Sequence, residues 1–166
     1  MTERGDDGET TPAELEAHAQ LKLIKVQLTK LVGELASDSG EERVLDDISV
    51  EIRGQYRFVH DAVIQFRWNA ELPIRETTGR NLAYLEVALD EWFHVPPGPR
   101  PSPEALSVFM RKSALDAAMP HIREGLRGLS QRLGIGSLAL GFTRNDGDGP
   151  HAALQAGPGP TLDQRG

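Results

Sequence analysis

Ile64-Gln-Phe-Arg-Trp-Asn-Ala-Glu-Leu72 carries an apolar side chain at every second position for nine residues. Successive side chains of a strand point to opposite faces, so this period of two predicts a β-strand with one buried and one wet side. Upstream, Ile48, Val50 and Ile52 alternate with Ser49, Glu51 and Arg53, and the pattern passes Gly54 to Tyr56 and Phe58. Downstream, Pro73 to Gly79 predicts a turn. After it Ala83, Leu85, Val87 and Leu89 face one way and Leu82, Tyr84, Glu86, Ala88 and Asp90 the other. Connections this short favour antiparallel neighbours.

Beyond Val95 the chain reads PPGPRPSP, five prolines in eight residues. Neither a ladder nor a helix interior accommodates that density, so an extended crossover is expected. Ser102-Pro103-Glu104 has the form of a helix start, with Leu106, Phe109 or Met110, Ser113 and Ala117 on one side. Pro120 is expected to open a second helix, in which Ile122, Leu126, Leu129 and Leu133 recur, and Gly134 to end it in a left-handed cap. A short apolar stretch, Leu138 to Phe142, comes next. Strands first and helices last is the order of an α+β fold, a four-stranded antiparallel sheet followed by two C-terminal helices.

The N-terminal part is ambiguous. Thr11-Pro12-Ala13-Glu14 looks like a capped helix start. Leu21, Ile24, Leu28, Leu31 and Leu35 then recur at helical spacing, whereas Ile24, Val26 and Leu28 alternate with Lys25 and Gln27 as in a strand. Periodicity favours the helix. Residues 1–11 hold four acids, one Arg and nothing apolar beyond Met1, which predicts disorder. The last 22 residues, from Asn145, contain eight Gly or Pro and no periodicity, which predicts a flexible tail. The expected organisation is a disordered 1–11, a folded domain over 12–143 and a Gly/Pro-rich tail over 144–166.

Composition narrows the function. The 166 residues have a formal net charge of −7, against the basic footprint of a general nucleic-acid binder. With no cysteine there is no disulfide scaffold, thiol nucleophile or Cys-based metal site. No apolar run approaches the ~18–20 residues of a membrane span. The polar, acidic start, Met1 to Thr10, is unlike a secretory or transit signal, so a cytoplasmic protein is expected.

Catalytic chemistry finds no support. Gly134-Ile-Gly136-Ser-Leu-Ala139 matches a loose dinucleotide pattern, but it comes after a helix instead of opening one, so it reads as a helix stop. His18, His60, His94, His121 and His151 are scattered at spacings unsuited to a metal. His60-Asp61 are neighbours that seldom point together. No enzyme, cofactor or metal is expected. What remains is a surface: residues 37–51 carry six acids, and Tyr84, Glu86, Asp90 and Trp92 share one parity, an aromatic–acidic face suited to a polar partner or simply to solvent.

The C-terminal half, Phe109-Met-Arg-Lys…Met119-Pro-His-Ile-Arg-Glu124-Gly-Leu-Arg-Gly-Leu-Ser-Gln-Arg132-Leu-Gly-Ile-Gly-Ser-Leu-Ala-Leu-Gly-Phe142, resembles the end of SecB-family export chaperones. The strand pair 63–72 and 82–93 is similar to that family's central strands, Leu85-Glu86-Val87 in particular. The resemblance spans about residues 21–142. It implies a homotetramer, a dimer of dimers, that holds unfolded polypeptide clients in apolar grooves without ATP and passes them to SecA. It also implies that Leu21–Leu35 is the first strand, against the periodicity, with a short helix kept at 12–20.

By the same resemblance the groove candidates are Phe66, Trp68, Trp92, Phe93, Val95, Leu106 and Phe109, each of which ordinary core packing would also explain. Glu86, with Tyr84 beside it, matches the acidic face on which the family docks SecA. The family's first-strand pattern fits neither Leu28–Leu35, which lacks its Asp and Pro, nor Asp47–Glu51, which lacks its Pro. The proline-rich segment usual after the last helix is replaced by Gly134-Ile-Gly136. Such divergence is compatible with a chaperone dedicated to an antitoxin of a toxin–antitoxin system. A small-ligand-binding α+β domain is the alternative from another class. Neither nucleic acid nor membrane insertion is expected.

Overall fold

The alternation at 64–72 belongs to a strand with neighbours on both sides. The structure, a computed structural model, describes residues 20–36 and 49–135 and the backbone of 156–158. Its strands are β1 (Lys22–Leu35), β2 (Glu51–His60), β3 (Val63–Arg75) and β4 (Asn81–His94). After them comes a helical run made of α1 (Pro103–Phe109), a π turn (Met110–Ala114) and α2 (Leu115–Arg132); three residues, Ala156–Pro158, form β5. The sheet order is β1-β4-β3-β2-β5. The strands β2, β3 and β4 form an antiparallel meander, β1 is antiparallel to β4, and β5 runs parallel to β2. The chain therefore crosses from one side of the sheet to the other between β1 and β2. The remainder of 144–166, the stretch Leu138–Phe142, the segment 1–11 and residues 12–19 of the expected N-terminal helix lie outside the described residues; Gln20 is helical.

Residues Lys22–Leu35 are a strand, so the resemblance, not the leucine spacing, describes them. The cause of the misleading period is visible in the pairing with β4. Register shifts between Leu23 and Lys25 and between Leu28 and Lys30 each insert one residue and reverse the parity of the residues beyond the shift. Leu23, Val26, Leu28, Leu31, Gly33 and Leu35 consequently stand opposite Phe93, Glu91, Leu89, Val87, Leu85 and Ala83. Two bulges in 14 residues stretch the spacing of one face from two towards the helical value.

Two boundaries differ from expectation. Pro73 lies inside β3, opposite Tyr84, and the turn is confined to residues between Arg75 and Asn81. Pairing with β2 ends at Glu51–Glu71, so β3 has an open side at Pro73 where a missing N–H is tolerated. Pro120 lies inside α2 instead of starting it. It is solvent-exposed, where the missing N–H and the ring are tolerated more readily than in a buried helix face. The π turn has a consequence for packing: its wider winding moves the buried face from the expected Ser113 and Ala117 to Ala114 and Ala118.

Other local signals are realised. Ser102 accepts the Ala105 N–H on its Oγ at 3.1 Å, with Pro103 in the first turn, and Gly134 ends α2 at φ 68°. The helical run lies along one face of the sheet. Its Phe109 packs edge-on to Phe93, with ring centres 5.1 Å apart, while Gly125 sits over Val87. Sixteen helical residues span about 24 Å at ~1.5 Å each, and the six from Val87 to Phe93 about 20 Å at ~3.3 Å, so the two run side by side. Between them lies the apolar core of Ile64, Phe66, Trp68, Ala70, Leu72 and Ile74 of β3 with Leu85, Val87 and Leu89 of β4.

Candidate functional site

The predicted groove residues divide between two faces. Phe66, Trp68, Phe93, Val95, Leu106 and Phe109 are buried between sheet and helices. Phe66, Phe93 and Phe109 form a triangle of rings, with Phe66–Phe93 at 5.4 Å and 88° and Phe66–Phe109 at 5.7 Å; Tyr56 joins at 6.0 Å from Phe66. In this conformation the cluster presents its surface to the core. Trp92 points to the other side, half-buried, with the Lys25 ammonium 4.9 Å from its ring centre.

The apolar surface that is exposed lies elsewhere. Leu23, Ile24, Leu28, Leu31 and Leu35 of β1 keep between 42% and 56% of their surface in water, and Val59 of β2 is similarly open. Ile24, Leu28, Leu31 and Leu35 belong to the series whose spacing looks helical; its first member, Leu21, is buried. Leu23, Leu28, Leu31 and Leu35 continue the core face of β4 onto a strand that ends the sheet, where α2 reaches Gly33 and the tip of Leu31 but leaves the leucines about half open. Long apolar edge strands are normally covered, because their unpaired backbone groups template association. The sequence signal was present in Ile24-Lys-Val-Gln-Leu28, but its meaning depends on which side of the sheet the strand joins.

The aromatic–acidic face is largely neutralised. Lys30 donates from its Nζ to both Glu86 oxygens, at 2.9 and 2.7 Å. Asp90 is buried and accepts from Arg67 Nε at 2.7 Å, Arg67 Nη2 at 2.8 Å and Gln65 Nε2 at 2.6 Å. The Asp90 bond holds the Arg67 guanidinium still higher than its usual range. On β2, Arg53 bridges Glu51 and Glu71. Burial, then the Glu71 and Glu86 carboxylates, raise the Tyr84 phenol and keep it protonated. Tyr84 and Glu86 thus share a face as expected, but Glu86 already has a cation.

The crossover is pinned at the opposite end of the hairpin. Val95 N–H donates to the Ala62 carbonyl at 2.8 Å, Arg100 forms an ion pair with Asp61, and its guanidinium lies 4.6 Å over the Phe58 ring.

A carboxyl stands on the apolar side of the sheet. Glu91 is 0% exposed, opposite Phe66 on β3 and Val26 on β1. Its Oε2 accepts from Trp68 Nε1 at 2.9 Å, and its Oε1 has no partner. Burial pushes its carboxyl up to about 7, with the Trp68 bond pulling the other way. Nothing in the alternation marks it, since the parity that places Leu85, Val87 and Leu89 inside places Glu91 there too.

Among the described residues no three His, Cys, Asp or Glu are grouped to hold a metal ion, and no helix is long and apolar enough to cross a membrane. An open depression of about 280 Å³ lies where β1 ends beside the β3–β4 turn, with Glu34, Leu35, Pro73, Arg75 and Tyr84 among its walls.

No protein-family model matches the sequence, and no curated protein matches it. The fold does have a known counterpart. A SecB-like chaperone of Mycobacterium tuberculosis, Rv1957, solved in complex with a ChAD peptide from the Rv1956 HigA1 antitoxin, superposes with a TM-score of 0.69. The match covers 81% of this chain and 99% of that one at 16% identity. The α+β fold of this chain is therefore SecB-like, at a sequence distance that makes it a divergent example.

Proposed function

We propose that the protein is a holdase chaperone that keeps an aggregation-prone polypeptide segment soluble without ATP and without catalysis, in the cytoplasm. The observation that supports it is the SecB-like fold, shared over nearly the full length of a chaperone that was solved with an antitoxin peptide. The physics is burial of client side chains against apolar surface, at ~25 cal/mol per Å², with several weak contacts along one chain adding through multivalency.

A single dedicated client, such as an antitoxin, is favoured over general export. The solved counterpart binds such a peptide, and the Glu86 carboxylate that a SecA-type partner would need is held by Lys30. Export through Tyr84 and Glu86 requires that pair to open.

Assembly is part of the proposal. Covering the open halves of five large apolar side chains on β1 contributes on the order of 5 kcal/mol, so a second copy at this strand is favoured, and two such pairs make the homotetramer. Light scattering tests the whole. A denatured, aggregation-prone protein is diluted without nucleotide into a molar excess of this one, alongside an antitoxin encoded next to the chain's own gene. Suppression for the antitoxin alone fits a dedicated chaperone; suppression for unrelated proteins fits general holding. Unchanged scattering throughout refutes the holdase.

A further inference from the structure

A fully buried carboxyl in an apolar layer is costly unless it is neutral or paired, and a neutral carboxylic acid still needs a partner for each oxygen. Glu91 has one partner, the Trp68 indole, and one free oxygen. From β3 it meets Phe66 and Trp68, and from β1 Val26. The helical run passes over this part of β4 with Met110, Ala114 and Ala118 buried, while its charged residues Glu104, Arg111, Lys112 and Asp116 stay at the surface. Tyr56, the titratable group that β2 contributes to this side, lies beyond the Phe66 ring. On β4 itself, Glu86 and Asp90 face the other side and are bound by Lys30 and Arg67. Among the described residues no cation faces Glu91, so this layer holds its protonated form and offers the anion no counter-charge.

We infer that Glu91 is a proton-operated latch between sheet and helices: protonated, it lets the helical run seat over Phe66, Phe93 and Phe109, and on releasing its proton to water it loosens that seat and uncovers the aromatic cluster. The anion has to be hydrated, which requires water to enter the layer that buries the free Oε1. Burial sets the midpoint at about 7, so the latch works at neutral pH. What the uncovered cluster then takes, an apolar client segment, rests on the holdase reading; the latch itself does not.

The chain has two tryptophans, so Trp92→Phe leaves Trp68 as the sole reporter beside Glu91. In that background, binding of the dye bis-ANS and the Trp68 emission maximum are followed from pH 5.5 to 8.5. The expected result is a several-fold rise in dye fluorescence with a red shift of Trp68, both centred near pH 7, and neither in Glu91→Gln, which can still accept from the indole. Flat traces in the parent overturn the latch, as does an equal rise in Glu91→Gln, which would assign it to a histidine.

Should Glu91→Gln fail to fold, the Glu91 side-chain carbon resonance in the parent decides: titration in the ordinary carboxylate range overturns the proposal, and titration near 7 in step with dye binding supports it. Light-scattering suppression over the same pH series separates the two readings. A rise in dye binding with no holding at any pH refutes the holdase and keeps the latch.

Discussion

Two glycines three residues apart in α2 should respond to the same substitution with opposite sign. An added Cβ at Gly128 meets nothing within 4 Å, whereas at Gly125 it would lie 3.0 and 3.1 Å from the two Val87 methyls and 3.3 Å from Leu31 Cδ2. Alanine gains about 1 kcal/mol over glycine at both positions from helix propensity. At Gly125 that gain is opposed by overpacking, which costs ~1–3 kcal/mol in a tight core. Val87 is buried in a strand flanked on both sides, and its stiff β-branched side chain cannot turn both methyls away. Gly128→Ala should therefore stabilise by up to about 1 kcal/mol and Gly125→Ala destabilise by up to about 2. With a urea dependence of ~1–3 kcal/mol per molar, the two midpoints should differ by roughly 1 M. Urea denaturation at one fixed protein concentration measures this. Equal stabilisation by both would mean that the helix does not rest on Val87, and the placement of α2 would fall.

Other perturbations probe the remaining contacts. Gly54→Ala drives a Cβ to 2.5 Å from Trp68 Cζ3, so it should cost about 3 kcal/mol, and much of the loss should return when Trp68→Phe vacates the space; calorimetry of single and double variants checks this. Phe93→Ala should cost ~3–5 kcal/mol by emptying the ring triangle while Trp92→Ala, on the other face, costs far less; equal losses would contradict the facing. Arg67→Ala strips the buried Asp90 of its cation and should cost ~1–3 kcal/mol, more than Lys30→Ala, by urea denaturation at pH 7. Glu91 has a folded pKa of about 7, above its ordinary 4.5, so its contribution is fully present below 4.5 and lost as pH rises through 7. The difference between parent and Glu91→Gln should thus shift by about 3 kcal/mol in favour of Glu91→Gln between pH 4 and pH 8.5; a pH-independent difference would place Glu91 in water.

The meander was legible because β2, β3 and β4 keep strict parity over the stretches that pair: Ile52 with Ala70, Tyr56 with Phe66, Ala70 with Val87. The first helix was legible because its start is chemically local, a Ser102 oxygen meeting the Ala105 amide. The groove candidates were a different kind of inference. Phe66, Trp68 and Phe109 are large and apolar, and their identities cannot say whether the surface they cover is a client or the helix above them. The leucines of β1 were visible too, but as one face of a helix, since a bulge is a property of two strands in register and not of one. The Lys30–Glu86 pair was illegible for the same reason, spanning 56 residues of sequence.

What the sequence determined by itself is thus whatever depends on neighbours a few residues apart: the period-two strands, the caps at Ser102 and Gly134, the stiff crossover, and the absence of thiol chemistry. Tertiary structure alone decided the rest. It set β1 against β4, where two bulges turn a helical spacing into an apolar strand edge. It moved the buried face of the helical run by one residue at the π turn. It also placed Glu91 beneath the helices with a single partner. Strand order, register and burial are set by surfaces that meet only after the chain has folded back on itself, and a carboxyl's charge state depends on the medium it meets there.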